Sequence, residues 1–189
     1  MAATDDAAAT RIAAGVMRAL WRPVPEGAPF LPVAEWFSRA FVRHRAEYGG
    51  AGPFPPALFA RAQALAWELL ASPVETVLLH GDLHHYNILS NSQHPERAPW
   101  MAIDPKGVTG DPGFDVGQFL LNPDLDGAEV RPAVVRRRLD IFAETLEYDR
   151  DRLAAWAVVE PVLSACWSAE DGGDGWQGAI AVAETAAAE

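Results

Sequence analysis

The chain has 189 residues, half of them hydrophobic, which is enough to bury one core, so the sequence predicts a single domain over residues 1–189. The net charge of −11 argues against nucleic acid as a partner and suits a small cationic one, although an acidic surface also simply favours solubility. Cys166 is the only cysteine, and neither a leader-like start nor an apolar run of membrane-spanning length is visible, so we expect a cytoplasmic protein without internal disulfides or membrane contact.

The first 72 residues carry helical periodicity in three segments. Apolar residues at helical spacing predict helices over about residues 4–21, 33–48 and 57–71. Thr4 or Asp5 can cap the first helix, and the prolines that follow Arg22 end it, because proline cannot continue a helix. A glycine cluster at 49–52 predicts a connecting loop. We therefore expect a helical region over residues 1–72.

Between residues 75 and 110 the pattern changes to that of short strands. Residues 76–79 predict one strand, and residues 87–90 and 100–103 predict a hairpin across the polar loop between them. After Pro112 the helical period returns, so residues 111–189 are predicted to be helical. The sequence therefore predicts an α+β fold that is predominantly α, with a small β element within residues 75–110.

Polar residues that fit phosphoryl transfer lie at the ends of these predicted strands. The string HGDLHHYNIL covers residues 80–89, and the apolar run WMAI at 100–103 is followed by DPKG. Phosphoryl transfer needs a carboxylate that deprotonates the attacking hydroxyl and oxygen ligands that hold Mg²⁺ on the phosphates. Asp82, separated from Asn87 by four residues, is the candidate catalytic base. Asn87 and Asp104 are the candidate Mg²⁺ ligands.

The fuller strings LLHGDLHHYNIL and MAIDPKGVTGDPGFDVGQFLLNP resemble the aminoglycoside phosphotransferases, within them the streptomycin 6-kinase and hydroxyurea phosphotransferase branch. The resemblance runs from about Asp5 to Trp176. It implies a protein-kinase-like fold, in which a small ATP-clamping lobe joins a larger helical C-terminal lobe that carries the catalytic loop and the acceptor pocket. It also implies ATP and Mg²⁺ as cofactors and an antibiotic alcohol, such as one of streptomycin, as acceptor.

Only the larger lobe is recognisable in these residues. Kinases cover the phosphates with a Gly-rich loop and grip them with a lysine that pairs with a glutamate. No G-x-G-x-x-G string occurs before His80, and the single lysine of the chain, Lys106, follows it. Arginine does not replace lysine cleanly, because the two cations differ in shape and hydration. We therefore expect the N-terminal ATP lobe to be absent, which leaves a face that favours self-association or a partner chain.

The catalytic string departs from that of protein kinases in one position. Gly81 stands where protein kinases carry an arginine that binds a phosphorylated loop, so we expect an unregulated enzyme with a small-molecule substrate. His80 is expected to support the loop backbone rather than carry protons. His84 and His85 are candidates for contact with phosphate or substrate, and the sequence does not choose between them.

Three charged residues after the loop have supporting roles. Lys106 is either a phosphate contact, a counter-ion for the Asp104 region or a surface lysine. Asp111, before Pro112, is the predicted cap of the next helix. Asp115 falls inside that helix beside an apolar face, and the resemblance implies that it supports the loop by accepting hydrogen bonds from loop amides.

The last third of the chain is the candidate acceptor pocket. Glu160 shares an apolar helical stripe with Trp156 and Trp167, where an unpaired carboxylate is costly, and Pro161 should kink the helix. Glu160 is therefore a candidate for binding a substrate ammonium, with a buried partner arginine as the alternative. The acidic, aromatic segment that follows is a second candidate for binding a cationic or polyhydroxylated substrate, through Glu170, Asp171, Asp174 and Trp176.

Two alternatives to a kinase stay open. A catalytically inactive remnant would keep the acceptor pocket and bind cationic small molecules without turnover. A metal-dependent hydrolase would use His80, Asp82, His84 and His85 as ligands, but that reading leaves Asn87 and the string around Asp104 unexplained.

Overall fold

The computed structural model describes residues 5–93, 96, 98–122, 132–170, 172 and 175–188. Within them the helices are α1 Asp6–Leu20, α2 Val33–Tyr48, α3 Pro56–Ala71, α4 Gly113–Leu120, α5 Pro132–Leu146, α6 Arg150–Glu170 and α7 Trp176–Ala187. The strands are β1 Leu31–Pro32, β2 Val77–Leu79, β3 Ile88–Ser90, β4 Trp100–Ala102 and β5 Val108–Gly110. Among the helices described, none is long and apolar enough to cross a membrane.

Local signals set the bounds of the first three helices, and those predictions are confirmed. The carboxylate of Asp5 accepts the amide N–H of Ala8 at 3.0 Å and so caps α1. α2 ends at Gly49, which adopts the left-handed conformation (φ 70°) usual for the residue after a helix. α3 begins with Pro56, where a missing N–H costs nothing.

The strands form two small sheets. β3 and β4 make the predicted antiparallel hairpin, in which Leu89 faces Met101. β5 lies between β1 and β2, parallel to the first and antiparallel to the second. Neither β1 nor β5 was predicted, because each is too short to show a period and is held by partners far along the chain. β5 brings the segment after Asp104 beside the strand that leads into the catalytic string.

Helix α6 is the centre of the core. The sequence predicts one apolar stripe on it, but the helix is buried on nearly all sides between Leu153 and Ala169, because α2, α3, α4 and α7 all pack on it. It continues as one α-helix through Pro161. α4 packs especially closely, since a Cβ on Gly117 would lie 2.8 Å from the carbonyl oxygen of Trp156. The string at residues 80–89 is therefore supported by closely packed helices.

Candidate functional site

The candidate catalytic loop, called the catalytic loop below, comprises residues 80–87 between β2 and β3 and is anchored by Asp115. This carboxylate is fully buried in α4 and accepts the backbone N–H groups of His80 at 3.0 Å and Gly81 at 2.9 Å. The indole N–H of Trp21 is a third donor, at 3.1 Å. Burial raises the pKa of Asp115, and the three N–H donors act in the opposite direction. The geometry is that of a loop-supporting carboxylate.

The first two residues of the loop have specific structural roles. Gly81 has φ +81°, and a Cβ there would lie 2.7 Å from a methyl of Val108, so a larger residue would be strained and would clash. His80 accepts the backbone N–H of Asp82 on Nδ1, at 3.2 Å, and its Nε2 lies 2.8 Å from the carbonyl oxygen of Ile103. His80 thus ties the loop to the residue before Asp104.

Asp82 projects from this loop with a side chain that is 27% exposed. Its Oδ1 accepts the side-chain N–H of Gln118 at 3.0 Å, and its Oδ2 lies 3.2 Å from the ammonium of Lys106. Both partners fix the carboxylate without removing it from solvent. Sequence reasoning missed Gln118, although a polar residue three positions after Asp115 on an otherwise apolar helix was the signal that could have identified it.

Asn87 and Asp104 are held next to each other by the backbone. Asn87 Nδ2 donates to the carbonyl oxygen of Asp82 at 2.9 Å, so the remaining amide oxygen is the atom suited to a metal. The N–H of Ile103 donates to the carbonyl oxygen of Asn87 at 3.0 Å. Asp104 itself has φ 59°, a left-handed conformation that is rare for non-glycine residues and often marks functional sites.

The donor set at Asp104 fits Mg²⁺. Its side chain is 68% exposed, and the hydrogen bond and charge of Lys106, 2.7 Å away, lower the pKa of Asp104. Mg²⁺ is usually held by one or two carboxylates together with substrate phosphates and water, rather than by a full protein cage. Asp104, together with Asn87 from the backbone-paired neighbouring segment, supplies that kind of partial site.

The adjacent residues His84 and His85 lie in different environments. One ring nitrogen of His84 lies 3.2 Å from Asn87 Nδ2, and burial lowers the pKa of His84. The ring of His85 stacks on Phe119 at 4.2 Å, and burial lowers its pKa to about 4, so it is neutral at physiological pH. No cluster of three His, Cys, Asp or Glu side chains suited to a metal exists in the part of the chain that the structure describes. The hydrolase alternative therefore has no support there.

Asp111 accepts hydrogen bonds from several elements, in addition to the helix-capping bond that the sequence predicts. α4 starts at Gly113, and although Asp111 accepts the N–H of Gly113 at 2.9 Å, its other donors come from distant elements. Arg152 donates to it from Nε at 3.0 Å and Nη2 at 2.7 Å, and Tyr148 and Trp156 donate at 2.7 Å and 3.0 Å. This buried hub fixes the start of α4, the helix that carries the supports of the catalytic loop.

Glu160 is fully buried, and neither carboxylate oxygen has a hydrogen-bond partner among the described residues. The partner arginine considered from the sequence is therefore not found there. Burial first, and then the charges of Asp82 and Asp115, raise the pKa of Glu160 well above its usual value. Burial thus favours the protonated form of Glu160, which lies on the side of α6 that packs against α4.

Replacing Glu160 with glutamine is expected to stabilise the protein increasingly as the pH rises above about 4.5. Burial raises the pKa of Glu160 in the folded protein above its value in the unfolded chain, so the native state loses stability with rising pH. Glutamine cannot ionise and removes this loss. Thermal unfolding of both proteins between about pH 5 and pH 8 measures the effect. A melting-temperature difference that does not change with pH, like that expected for the exposed Glu184→Gln, would contradict it.

The second predicted acceptor segment is only partly described. Glu170 ends α6, with one carboxylate oxygen buried without a partner among the described residues and the other 3.7 Å from Arg43. Trp176 begins α7 and packs on Phe54 at 5.5 Å. Asp171 and Asp174 lie outside the described residues.

Comparisons with known proteins identify the family of this chain. Residues 1–172 match the family described as aminoglycoside/hydroxyurea antibiotic resistance kinase. The streptomycin 3''-kinase of Klebsiella pneumoniae is 36% identical over 145 residues, covering 75% of this chain and 50% of that protein. The streptomycin 6-kinase of Streptomyces griseus is 42% identical over 113 residues, 59% of this chain and 35% of that protein. The chain thus spans half or less of the length of these curated relatives.

Solved structures give the same fold. Choline kinase LicA from Streptococcus pneumoniae has a TM-score of 0.66 at 14% identity, over 98% of this chain and 66% of that one. Aminoglycoside phosphotransferase APH(3'')-Id from Streptomyces rimosus, solved with ADP and streptomycin, has a TM-score of 0.56 at 26% identity, over 83% and 62%. The predicted protein-kinase-like fold, α+β and predominantly α, is confirmed. Because the family match spans most of the chain, this protein belongs to the aminoglycoside/hydroxyurea antibiotic resistance kinases.

Proposed function

We propose that this chain carries the catalytic centre of an ATP- and Mg²⁺-dependent O-phosphotransferase that acts on a hydroxyl of a cationic small molecule, with streptomycin as the leading acceptor. The observation that carries the proposal is that Asp82, Asn87 and Asp104 lie close together. The ammonium of Lys106 contacts the carboxylates of both Asp82 and Asp104, and Asn87 donates a hydrogen bond to the backbone of Asp82. The two curated relatives described above are both streptomycin kinases, which supports the acceptor.

Each residue has one task in this proposal. Asp82 accepts the proton of the acceptor hydroxyl, whose oxygen then bonds to the γ-phosphorus of ATP while ADP leaves. Gln118 keeps Asp82 aimed at that hydroxyl through its 3.0 Å hydrogen bond. Asp104 and Asn87 hold Mg²⁺, which neutralises phosphate charge when bound. Asp115 keeps the loop in place.

We place the acceptor beside the aromatic pair Trp36 and Trp167. Their rings meet edge to face at 5.3 Å, both are half-buried, and Trp36 lies 3.3 Å from the position a Cβ of Gly81 would occupy. Such rings offer flat faces to a sugar or a cation. Glu170 follows Trp167 by three residues on α6 and supplies a nearby carboxylate for an ammonium group. Glu160 lies deeper and is closed to solvent, so we assign the surface role to Glu170.

We also propose that residues outside these 189 supply the grip on ATP. The chain has no Gly-rich phosphate loop before the catalytic string, its only lysine is Lys106, and it spans half or less of its curated relatives. Exposed apolar side chains at Leu89, Met101 and Ile103 give such a segment, or a partner chain, a surface to cover. Because the proposed phosphate donor is ATP, we also propose a cytoplasmic location.

Phosphate transfer from γ-labelled ATP with Mg²⁺ to streptomycin tests the proposal. The assay compares the chain alone with the chain fused behind the N-terminal ATP-clamping portion of a streptomycin kinase. We expect phosphorylated streptomycin from the fused protein, since the fusion restores the missing contacts to ATP. Choline, a smaller monocation with one hydroxyl, is the control acceptor, because it tests whether any cationic alcohol is phosphorylated.

One outcome would contradict the kinase proposal, and another would contradict only the choice of acceptor. Streptomycin binding by calorimetry without transfer in either form would favour an inactive binding module. Transfer to choline rather than to streptomycin would keep the chemistry but overturn the acceptor assignment.

A further inference from the structure

Lys106 stands in an unusual place for the only lysine of the chain. Its ammonium lies 2.7 Å from Oδ2 of Asp104 and 3.2 Å from Oδ2 of Asp82, so one cation joins the candidate metal ligand to the candidate base. The side chain is 39% exposed. The hydrogen bonds to Asp104 and Asp82 raise the pKa of Lys106, so the ammonium is charged at neutral pH.

The backbone fixes where this lysine starts. Its N–H donates to the carbonyl oxygen of His80 at 2.7 Å, and its Cβ lies 3.2 Å from the position a Cβ of Gly81 would take. The stem of Lys106 is therefore held over the catalytic loop, whereas the partly exposed ammonium end has room to move. A fixed stem and a partly exposed ammonium are the features of a cation that can exchange partners.

We propose that Lys106 is an intramolecular counter-ion, which holds Asp104 and Asp82 together in the metal-free protein and leaves Asp104 when a divalent cation binds. The inference rests on the proposed function, because it takes Asp104 as the metal ligand. An ammonium and a divalent ion on the same carboxylate repel each other, so the lysine competes with the metal. Asp82 stays in position during the exchange, because Gln118 holds its other oxygen.

Divalent-metal binding to the nucleotide-free chain tests this competition without any activity assay. Free Mn²⁺, a probe for the Mg²⁺ site, is measured by its electron paramagnetic resonance signal during titration at neutral pH. Lys106→Gln is expected to bind Mn²⁺ about tenfold more tightly than the unchanged chain. Lys106→Arg keeps the charge and should stay within about twofold. Arg39→Gln removes the same charge from an exposed ion pair on α2 and should also stay within about twofold.

A further variant, Asp104→Asn, separates failure of this inference from failure of the proposed function. If Asp104→Asn weakens Mn²⁺ binding but Lys106→Gln does not strengthen it, Lys106 is no competitor and the inference is wrong while the metal site stands. If Asp104→Asn leaves Mn²⁺ binding unchanged, both the inference and the assignment of Asp104 are wrong. Far-ultraviolet circular dichroism verifies that each variant is folded.

Discussion

Asp111→Ala is expected to lower the free energy of unfolding by about 4 kcal/mol. The guanidinium of Arg152, whose side chain is 16% exposed, would lose its carboxylate partner, and Tyr148 and Trp156 would lose their acceptor. An uncompensated charge in a largely buried position is among the costliest single changes in a protein. Denaturant unfolding followed by tryptophan fluorescence measures the loss.

A double variant decides whether the unpaired charge is the cause. Asp111→Ala combined with Arg152→Met removes both charges, so it should be less destabilising than the sum of the two single variants. Asp140→Ala, which breaks an exposed ion pair with Arg150, is the control and should cost less than about 1 kcal/mol. A loss for Asp111→Ala no larger than that of Asp140→Ala would overturn the hub interpretation.

Asp82→Asn is expected to lower the rate of phosphate transfer about 10³-fold in whichever form of the protein is active. Asparagine keeps the shape of the side chain and an oxygen that can accept the N–H of Gln118, but it cannot take the proton of the acceptor hydroxyl. The proposed role therefore predicts a fall in kcat at nearly unchanged thermal stability. Steady-state kinetics and a melting curve on the same samples measure the two effects.

Asp151→Asn is the matched control for this change, since it removes one carboxylate from an exposed position in the first turn of α6. It should retain full activity. Retention of more than about a tenth of the activity by Asp82→Asn would exclude Asp82 as the general base. A rate loss that follows a drop in melting temperature would indicate a structural role instead.

Much of the candidate site could be located from the sequence, because its residues lie in contiguous strings. Asp82 and Asn87 share one loop whose spacing is itself informative, and Asp104 follows a strand-like run. Partners contributed by other elements could not be predicted in the same way. The donor to Asp82 is 36 residues away, at Gln118, and nothing in the local sequence of Asp111 indicates Arg152 as its partner.

The sequence by itself determined the three N-terminal helices, the β3–β4 hairpin and the catalytic string, since capping residues, prolines and hydrophobic periods act over a few residues. Only the tertiary structure decided that β5 pairs with β1 and β2, that Asp111 becomes a hub, and that Lys106 bridges two carboxylates. It also decided that α6 is buried on nearly all sides, so that Glu160 is buried within it and the pKa of Glu160 is raised. These features depend on which distant surfaces meet, and packing around α6 determines those contacts without leaving a local sequence signal.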